Sequence, residues 1–234
     1  MAKRPIFIPL DDYPYVEERE FEFEWFPGFA ITQAQKSIRS LHRAAEKNGI
    51  APILEISSKS PLSLGVNLSA FNLMVEFSTG HSMSVECAFQ GSKVFEFGGP
   101  YQELYKVSSR EAKKDDRLRI SGGVIGFQLF DEIFPTEPKT AFYDWLYIKA
   151  LSQNPAYGKM LLNFNGFSDI AFNPKKSINC QAKAAALFVS FIKNDFIEDI
   201  INDRESYFTL IDIAQNRKAK KEKQLGFLNP DDIT

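Results

Sequence analysis

Ser84-Val85-Glu86-Cys87-Ala88-Phe89-Gln90-Gly91-Ser92-Lys93 is the stretch that decides how this chain is read. On a helix, at about 100° per residue, Glu86, Gln90 and Lys93 fall in one narrow sector. Phe89 and Phe97 are expected to flank that sector. Val85, Cys87, Ala88, Gly91, Val94 and Phe95 make most of the remaining circumference apolar or small, which predicts a buried central helix ended by Gly98-Gly99-Pro100. An acid, an amide and an amine in one buried stripe must find partners. Either they pair along the helix, or they line a cavity. In the second case an acid stands beside a desolvated amine, the layout of acid–base and imine chemistry.

Outward from this stretch, composition sets the bounds. A chain of 234 residues makes one large domain or two small ones, and 22 phenylalanines can fill a large core. A net charge of −2 argues against a protein that coats nucleic acid through bulk charge, though it leaves room for a local basic patch. Cys87 and Cys180 lie in apolar surroundings without metal-ligand spacing and read as reduced core thiols. With only two histidines, His42 and His81, a histidine-based zinc site or a serine–histidine triad has little support, and no metal is expected. No run of residues has the length of a membrane span and no signal peptide is recognised, so a cytoplasmic protein without membrane contact is expected.

The pattern of elements is mainly α with a few short strands, an α+β domain. Residues 1–15 read as extended. Glu20 to Phe26 alternates charge with aromatic residues and reads as a strand. Thr32 to Asn48 reads as a helix capped by Thr32 and followed by Gly49. Ile53–Ser57 and Phe71–Phe77 read as strands, and residues 101–123 are polar. Their charge run, Lys113-Lys114-Asp115-Asp116-Arg117, reads as solvated surface. Thr140–Asn154 is a strong helix with Asp144 turned inward, and Gln181 to about Asn202 reads as one long helix. A domain over residues 1–202 with a charged extension over 203–234 is the expected organisation, the extension carrying a basic cluster from Arg217 to Lys223.

No phosphate-loop, dinucleotide-binding, zinc-protease or serine-hydrolase pattern occurs. Four polar clusters remain: Glu86/Gln90/Lys93; Leu68-Ser69-Ala70-Phe71-Asn72 upstream; Asp144 with Tyr143 and Trp145; and Asn173 to Gln181. In the last, Asn179 reads either as a helix N-cap or as an amide presented to phosphate. In combination and in order these clusters resemble the NADAR family, which carries a Glu, then Phe-Gln, then Lys, with a Leu-Ser-x-Phe element before it and an Asp and a terminal Asn after it. The resemblance runs from about Trp25 to Phe191. Trp25-Phe26-Pro27-Gly28-Phe29, Leu68 to Leu73 and Phe142 to Tyr147 bring it nearest to NADAR proteins of the DarG type, antitoxins to DarT toxins.

That resemblance implies a single NADAR/YbiA-like domain and an N-glycosyl hydrolase that removes ADP-ribose from guanine bases of DNA. Lys93, Glu86 and Asp144 are then the catalytic candidates, and Ser69, Phe71, Asn72, Gln90, Trp145 and Asn179 the substrate-binding ones. No cofactor is implied. The implied partners are ADP-ribosylated DNA, single-stranded in preference, and a cognate DarT-like toxin. The scissile anomeric carbon is at the oxidation level of an aldehyde, so a neutral lysine can capture it as an imine while a carboxyl group moves protons. Desolvation by Phe89 and Phe97 lowers the pKa of Lys93, and an ionised Glu86 raises it. Two other readings use the same residues: a module that binds ADP-ribose without cleaving it, and an antitoxin that blocks its toxin by contact. An enzyme turns over repeatedly, a binder retains its ligand, and a contact inhibitor works without Lys93.

Overall fold

The computed structural model describes residues 1–211 of the chain. The basic cluster Arg217 to Lys223 lies outside the described residues. A hairpin of β1 (Ala2–Pro9) and β2 (Val16–Phe23) starts the fold, paired from Ala2↔Phe23 to Pro9↔Val16. The alternation in β2 sends Phe21 and Phe23 inward while Glu20 and Glu22 stay outside. α1 (Ile31–Glu46) lays Ile38, Leu41 and Ala45 over Ile6, Phe21 and Phe23. It starts one residue before Thr32, and Ala30 at its N-cap makes no side-chain bond. Beyond Phe23 the strand gives way: the amides of Glu24 and Phe26 bond to the hydroxyls of Ser40 and Ser37 on α1.

β3 (Ile53–Glu55) pairs in parallel with β9 (Gly166–Ser168), completing a sheet of order β2-β1-β9-β3. Neighbouring strand residues point to opposite faces. Ile6 and Ile53 join the α1 cluster, whereas Phe7, Leu54 and Phe167 join the larger core. α2 (Ser63–Asn67) and the two-stranded β4 (Met74–Glu76) and β5 (Ser82–Ser84) lead into α3 (Val85–Gly91). The expected strand over Phe71–Phe77 is therefore reduced to three residues, because Asn72 and Leu73 are turned back by amide bonds to the Ser69 carbonyl.

α3 is buried along its whole length, as expected, but it stops short of Lys93. Gly91 packs against the ring of Tyr105, and a Cβ there would stand 2.4 Å from Tyr105 Cε1. The Ser92 hydroxyl donates to the Ala88 carbonyl at 2.7 Å. The chain then leaves as β6 (Lys93–Phe95), in a sheet with β7 (Val124–Leu129) and β8 (Glu132–Phe134). Val94 and Phe95 favour such a strand, and ladder bonds to β7 replace those of a continued helix. Lys93 is thus a strand residue, and Phe97, 79% exposed, does not cover it. Gly98-Gly99-Pro100 turns the chain after β6; Gly99 has φ +81° and lies too close to the Lys93 carbonyl for a Cβ.

The polar residues 101–123 contain a 3-10 turn (Gln102–Lys106), α4 (Ser109–Lys114) and α5 (Arg117–Ile120). α4 is started by a capping box of Ser108 and Glu111. α6 (Ala141–Ser152) is apolar nearly all round and forms the centre of the main core, with α7 (Pro155–Leu161) after it. α8 (Gln181–Lys193) packs on α6 and on the sheet. The expected long helix is broken after Lys193, where Asp195 adopts φ +56° and the Phe196 amide returns to the Phe191 carbonyl; α9 (Ile197–Asn202) follows. Residues 204–211 are helical too, and Tyr207 is fully buried against Phe191 and Phe208. The whole is a mixed α+β fold, and no described helix is long and apolar enough to cross a membrane.

Candidate active site

α3 is anchored at its start, and that anchorage sets the site. Ser84 caps it by accepting from the Cys87 amide at 3.1 Å. The amides of Val85 and Glu86 donate to the carbonyls of Leu73 and Ala70, each at 2.9 Å. The Ser69–Phe71 turn is thereby fixed beside Glu86. The Glu86 carboxylate is buried; its Oε1 accepts from Gln90 Nε2 at 2.8 Å and stands 3.6 Å from Lys113 Nζ. Gln90 Oε1 is buried with no protein partner. Two residues past the end of α3, Lys93 lays its Nζ over the Phe89 ring, 4.6 Å from the centroid.

These groups line a cavity of about 470 Å³. Glu86, Gln90, Lys93, Ser69, Phe71 and Asn179, all singled out from the sequence, meet there. Burial outweighs the pull of Glu86 and, with repulsion from Lys113, lowers the pKa of Lys93 to about 8. At neutral pH a fraction on the order of a tenth of the molecules then carries the free amine.

Three sequence candidates lie elsewhere. Asn72 is turned away and donates to the Val66 carbonyl at 2.8 Å. Trp145 is packed against Phe134 in the core. Asp144 is buried outside the cavity lining, where its Oδ2 accepts from the Thr140 hydroxyl at 2.6 Å and stands 3.6 Å from Lys183 Nζ. Burial raises its pKa. Asp144 was expected inward, and it is, but its helix turns it toward α8 and not into the cavity. Asn179 is not the N-cap of α8. Cys180 holds that place with no side-chain bond, leaving the Asn179 amide at the cavity wall.

Four further residues line the wall: the sequence reading missed Lys113 and Asp169, and held Lys176 and Gln181 within the polar cluster Asn173 to Gln181. Lys113, taken as part of a solvated charge run, sits 5.1 Å from the centre of the Phe71 ring and points at Glu86. Lys176 also lines the cavity. Asp169, just after β9, accepts from the amides of Ala171 and Phe172 through Oδ1 and from Gln181 Nε2 at 2.9 Å through Oδ2. Burial raises its pKa to about 6. Gln181 ties the walls together: its Oε1 accepts from the Ala70 amide at 2.8 Å and its Nε2 donates to the Ile56 carbonyl at 2.7 Å. No spacing in the sequence links Ala70, Asp169 and Gln181.

Behind Asp169 lies a second buried acid, Glu55. Its Oε1 accepts from the Ser57 hydroxyl at 2.7 Å and the Ile170 amide at 2.9 Å, and its Oε2 bonds to the Ser168 hydroxyl. Burial, reinforced by Asp169, raises its pKa to about 8, so it holds its proton at neutral pH. The same Ser168 hydroxyl lies 2.9 Å from Nε2 of His42, whose pKa burial lowers to about 4. A proton on Glu55 thus satisfies the chain Glu55–Ser168–His42 without burying a net charge. Among the described residues no cluster of His, Cys, Asp or Glu is placed to hold a metal ion.

Against curated proteins the chain has no match. Against protein families, residues 2–222 match the family described as DarT1-associated NADAR antitoxin, a span that takes in every element above and the junction from Glu86 to Lys93. The chain belongs to the family of DarT1-associated NADAR antitoxins.

Proposed function

We propose that the protein is a glycohydrolase that removes ADP-ribose from guanine bases in DNA and so reverses the modification made by its DarT1 toxin. The observation that carries this reading is the desolvated Lys93 amine, with its pKa near 8, in one cavity with the Glu86 carboxylate. That pairing suits a carbon at the aldehyde level.

The reaction balances with one water. Glu86 delivers a proton to the ring oxygen of the distal ribose of ADP-ribose and that ring opens, leaving its anomeric carbon, here C1′, joined to the guanine nitrogen as an iminium. The neutral amine of Lys93 adds to C1′. A proton passes to the guanine nitrogen, the bond from C1′ to guanine breaks, and Lys93 holds the sugar as an imine. Water adds to C1′, the amine leaves, and ADP-ribose departs. Lys113 and Lys176 bring positive charge to the wall for a diphosphate, and Gln90 Oε1 offers an unused acceptor for a ribose hydroxyl. A cavity of this size holds a ligand of that class. A modified base must protrude from its strand to bring C1′ to Lys93, which favours single-stranded DNA.

Borohydride added during turnover reduces the imine and leaves an ADP-ribose adduct on Lys93, found by mass spectrometry. Lys93→Ala and Lys93→Arg abolish both cleavage and adduct, because arginine stays protonated. Full turnover by the Arg variant refutes the imine route.

A further inference from the structure

Lys93 stands at the meeting of two cavities. Beside the polar one already described is a second of about 370 Å³, and the two share Phe89, Lys93, Tyr143 and Asn179. The lining of the second is different in kind. Phe127 and Phe142 stack with ring centres 4.6 Å apart at 28°, and Phe89 lies 5.6 Å from Phe127 at 32°. Pro135 and Pro138 also line it. The strand register explains why this stack adjoins the amine. Lys93 on β6 faces Phe127 on β7, and side chains paired in this way leave the same face of a sheet with Cβ atoms about 5 Å apart. Phe142 is fully buried behind Phe127, whereas Phe127 is half-buried and keeps part of its ring toward the cavity.

Breaking an N-glycosidic bond at a carbon bound to Lys93 imposes a geometry. The sugar and its phosphates must leave C1′ on one side and the base on the other. The polar cavity, with its serines, amides and three lysines, suits the first group; a cavity lined by a stack of aromatic rings suits a flat heteroaromatic one. We propose that the second cavity receives the guanine base of the substrate, stacked on Phe127, while ADP-ribose fills the first. This rests on the glycohydrolase reading above. It makes Phe127 a substrate-binding residue that touches the leaving group, with no part in holding ADP-ribose.

The test uses the full chain and three measurements. The first is calorimetric binding of 2′-deoxyguanosine to wild type already saturated with ADP-ribose. The second is the same titration with Phe127→Leu, together with its affinity for ADP-ribose alone. The third is kcat and KM of both proteins on an oligonucleotide carrying ADP-ribosyl-guanine. We expect the nucleoside to bind alongside ADP-ribose. Phe127→Leu should weaken the nucleoside and raise KM by roughly tenfold, the scale of one lost stacking contact, with ADP-ribose affinity unchanged. Three results overturn the proposal: competition between nucleoside and ADP-ribose, no nucleoside binding to wild type, or a Phe127→Leu loss that falls equally on ADP-ribose. The wild-type titration decides even if the variant does not fold. If nucleoside binds through Phe127 but wild type releases no ADP-ribose, the base site stands and the glycohydrolase reading fails.

Discussion

Lys113 on α4 holds its Nζ 3.6 Å from Oε1 of Glu86 on α3, although the residue lies in a charge run that reads as surface. Lys93 and Lys113 therefore share one carboxylate. Lys113 also repels positive charge on Lys93 and helps to lower its pKa. Lys113→Met removes that repulsion, so the pKa of Lys93 rises and less free amine is present at pH 7. The acidic limb of the kcat profile, measured from pH 6 to 9.5, should move to higher pH. Lys113 is more than half exposed, so the displacement should stay below about one unit. A limb that stays put removes Lys113 from the electrostatics of the site.

Glu86→Gln keeps the shape of the side chain and an acceptor for Gln90 but cannot deliver a proton. Turnover should fall by roughly a hundredfold or more, the usual scale for a positioned acid–base group. Affinity for free ADP-ribose, measured by calorimetry, should change little. Normal turnover would move the acid to another wall residue, Asp169 first.

Asp144 leads to the opposite expectation. It is bonded to Thr140 and paired with Lys183, and it does not line the cavity. Asp144→Asn should therefore keep turnover within about tenfold of wild type, against the larger loss for Glu86→Gln. Asp144→Ala takes the acceptor from the Thr140 hydroxyl and empties a buried position, so it should lower the melting temperature clearly. A hundredfold loss of turnover in a well-folded Asp144→Asn protein would return Asp144 to the chemistry.

Stability should depend on pH through Glu55. Its pKa is raised to about 8 in the folded protein, so the native state keeps a proton that the unfolded chain gives up above its ordinary carboxyl range. The contribution is complete at low pH and is lost as pH rises from about 4.5 to about 8, at up to about 1.4 kcal/mol per pH unit. Denaturant midpoints measured across that window should fall for wild type and fall less steeply for Glu55→Gln. Equal slopes would mean that Glu55 does not hold its proton.

DNA contact should be short. Lys176 lines the cavity and Lys175 lies exposed beside it. Replacing both should flatten the salt dependence of substrate binding by at most about two units of log–log slope. A single-stranded modified oligonucleotide should be cleaved faster than the same strand annealed. Equal rates on both forms with no salt dependence would reduce recognition to the ADP-ribosyl-guanine unit.

Sequence periodicity carried whatever depends on near neighbours. The alternation in β2, the helix α6, the burial of α3 and the shared face of Glu86 and Gln90, four residues apart, were legible because backbone geometry fixes which side chains share a face. Repeat spacing could not show where α3 ends. That is decided by the Tyr105 ring against Gly91 and by the strand β7, which draws Lys93 into a ladder opposite Phe127. Nor could it show that Lys113 faces Glu86, that Asp169 and Glu55 lie back to back, or that Asp144 turns toward Lys183. Those juxtapositions join segments far apart in the chain; the bond from the Ala70 amide to Gln181 spans 111 positions. The types of residue able to do the chemistry were written in one local stretch, but the lowered pKa of Lys93 is a property of tertiary packing, because the desolvation that causes it comes from side chains the fold brings in from elsewhere.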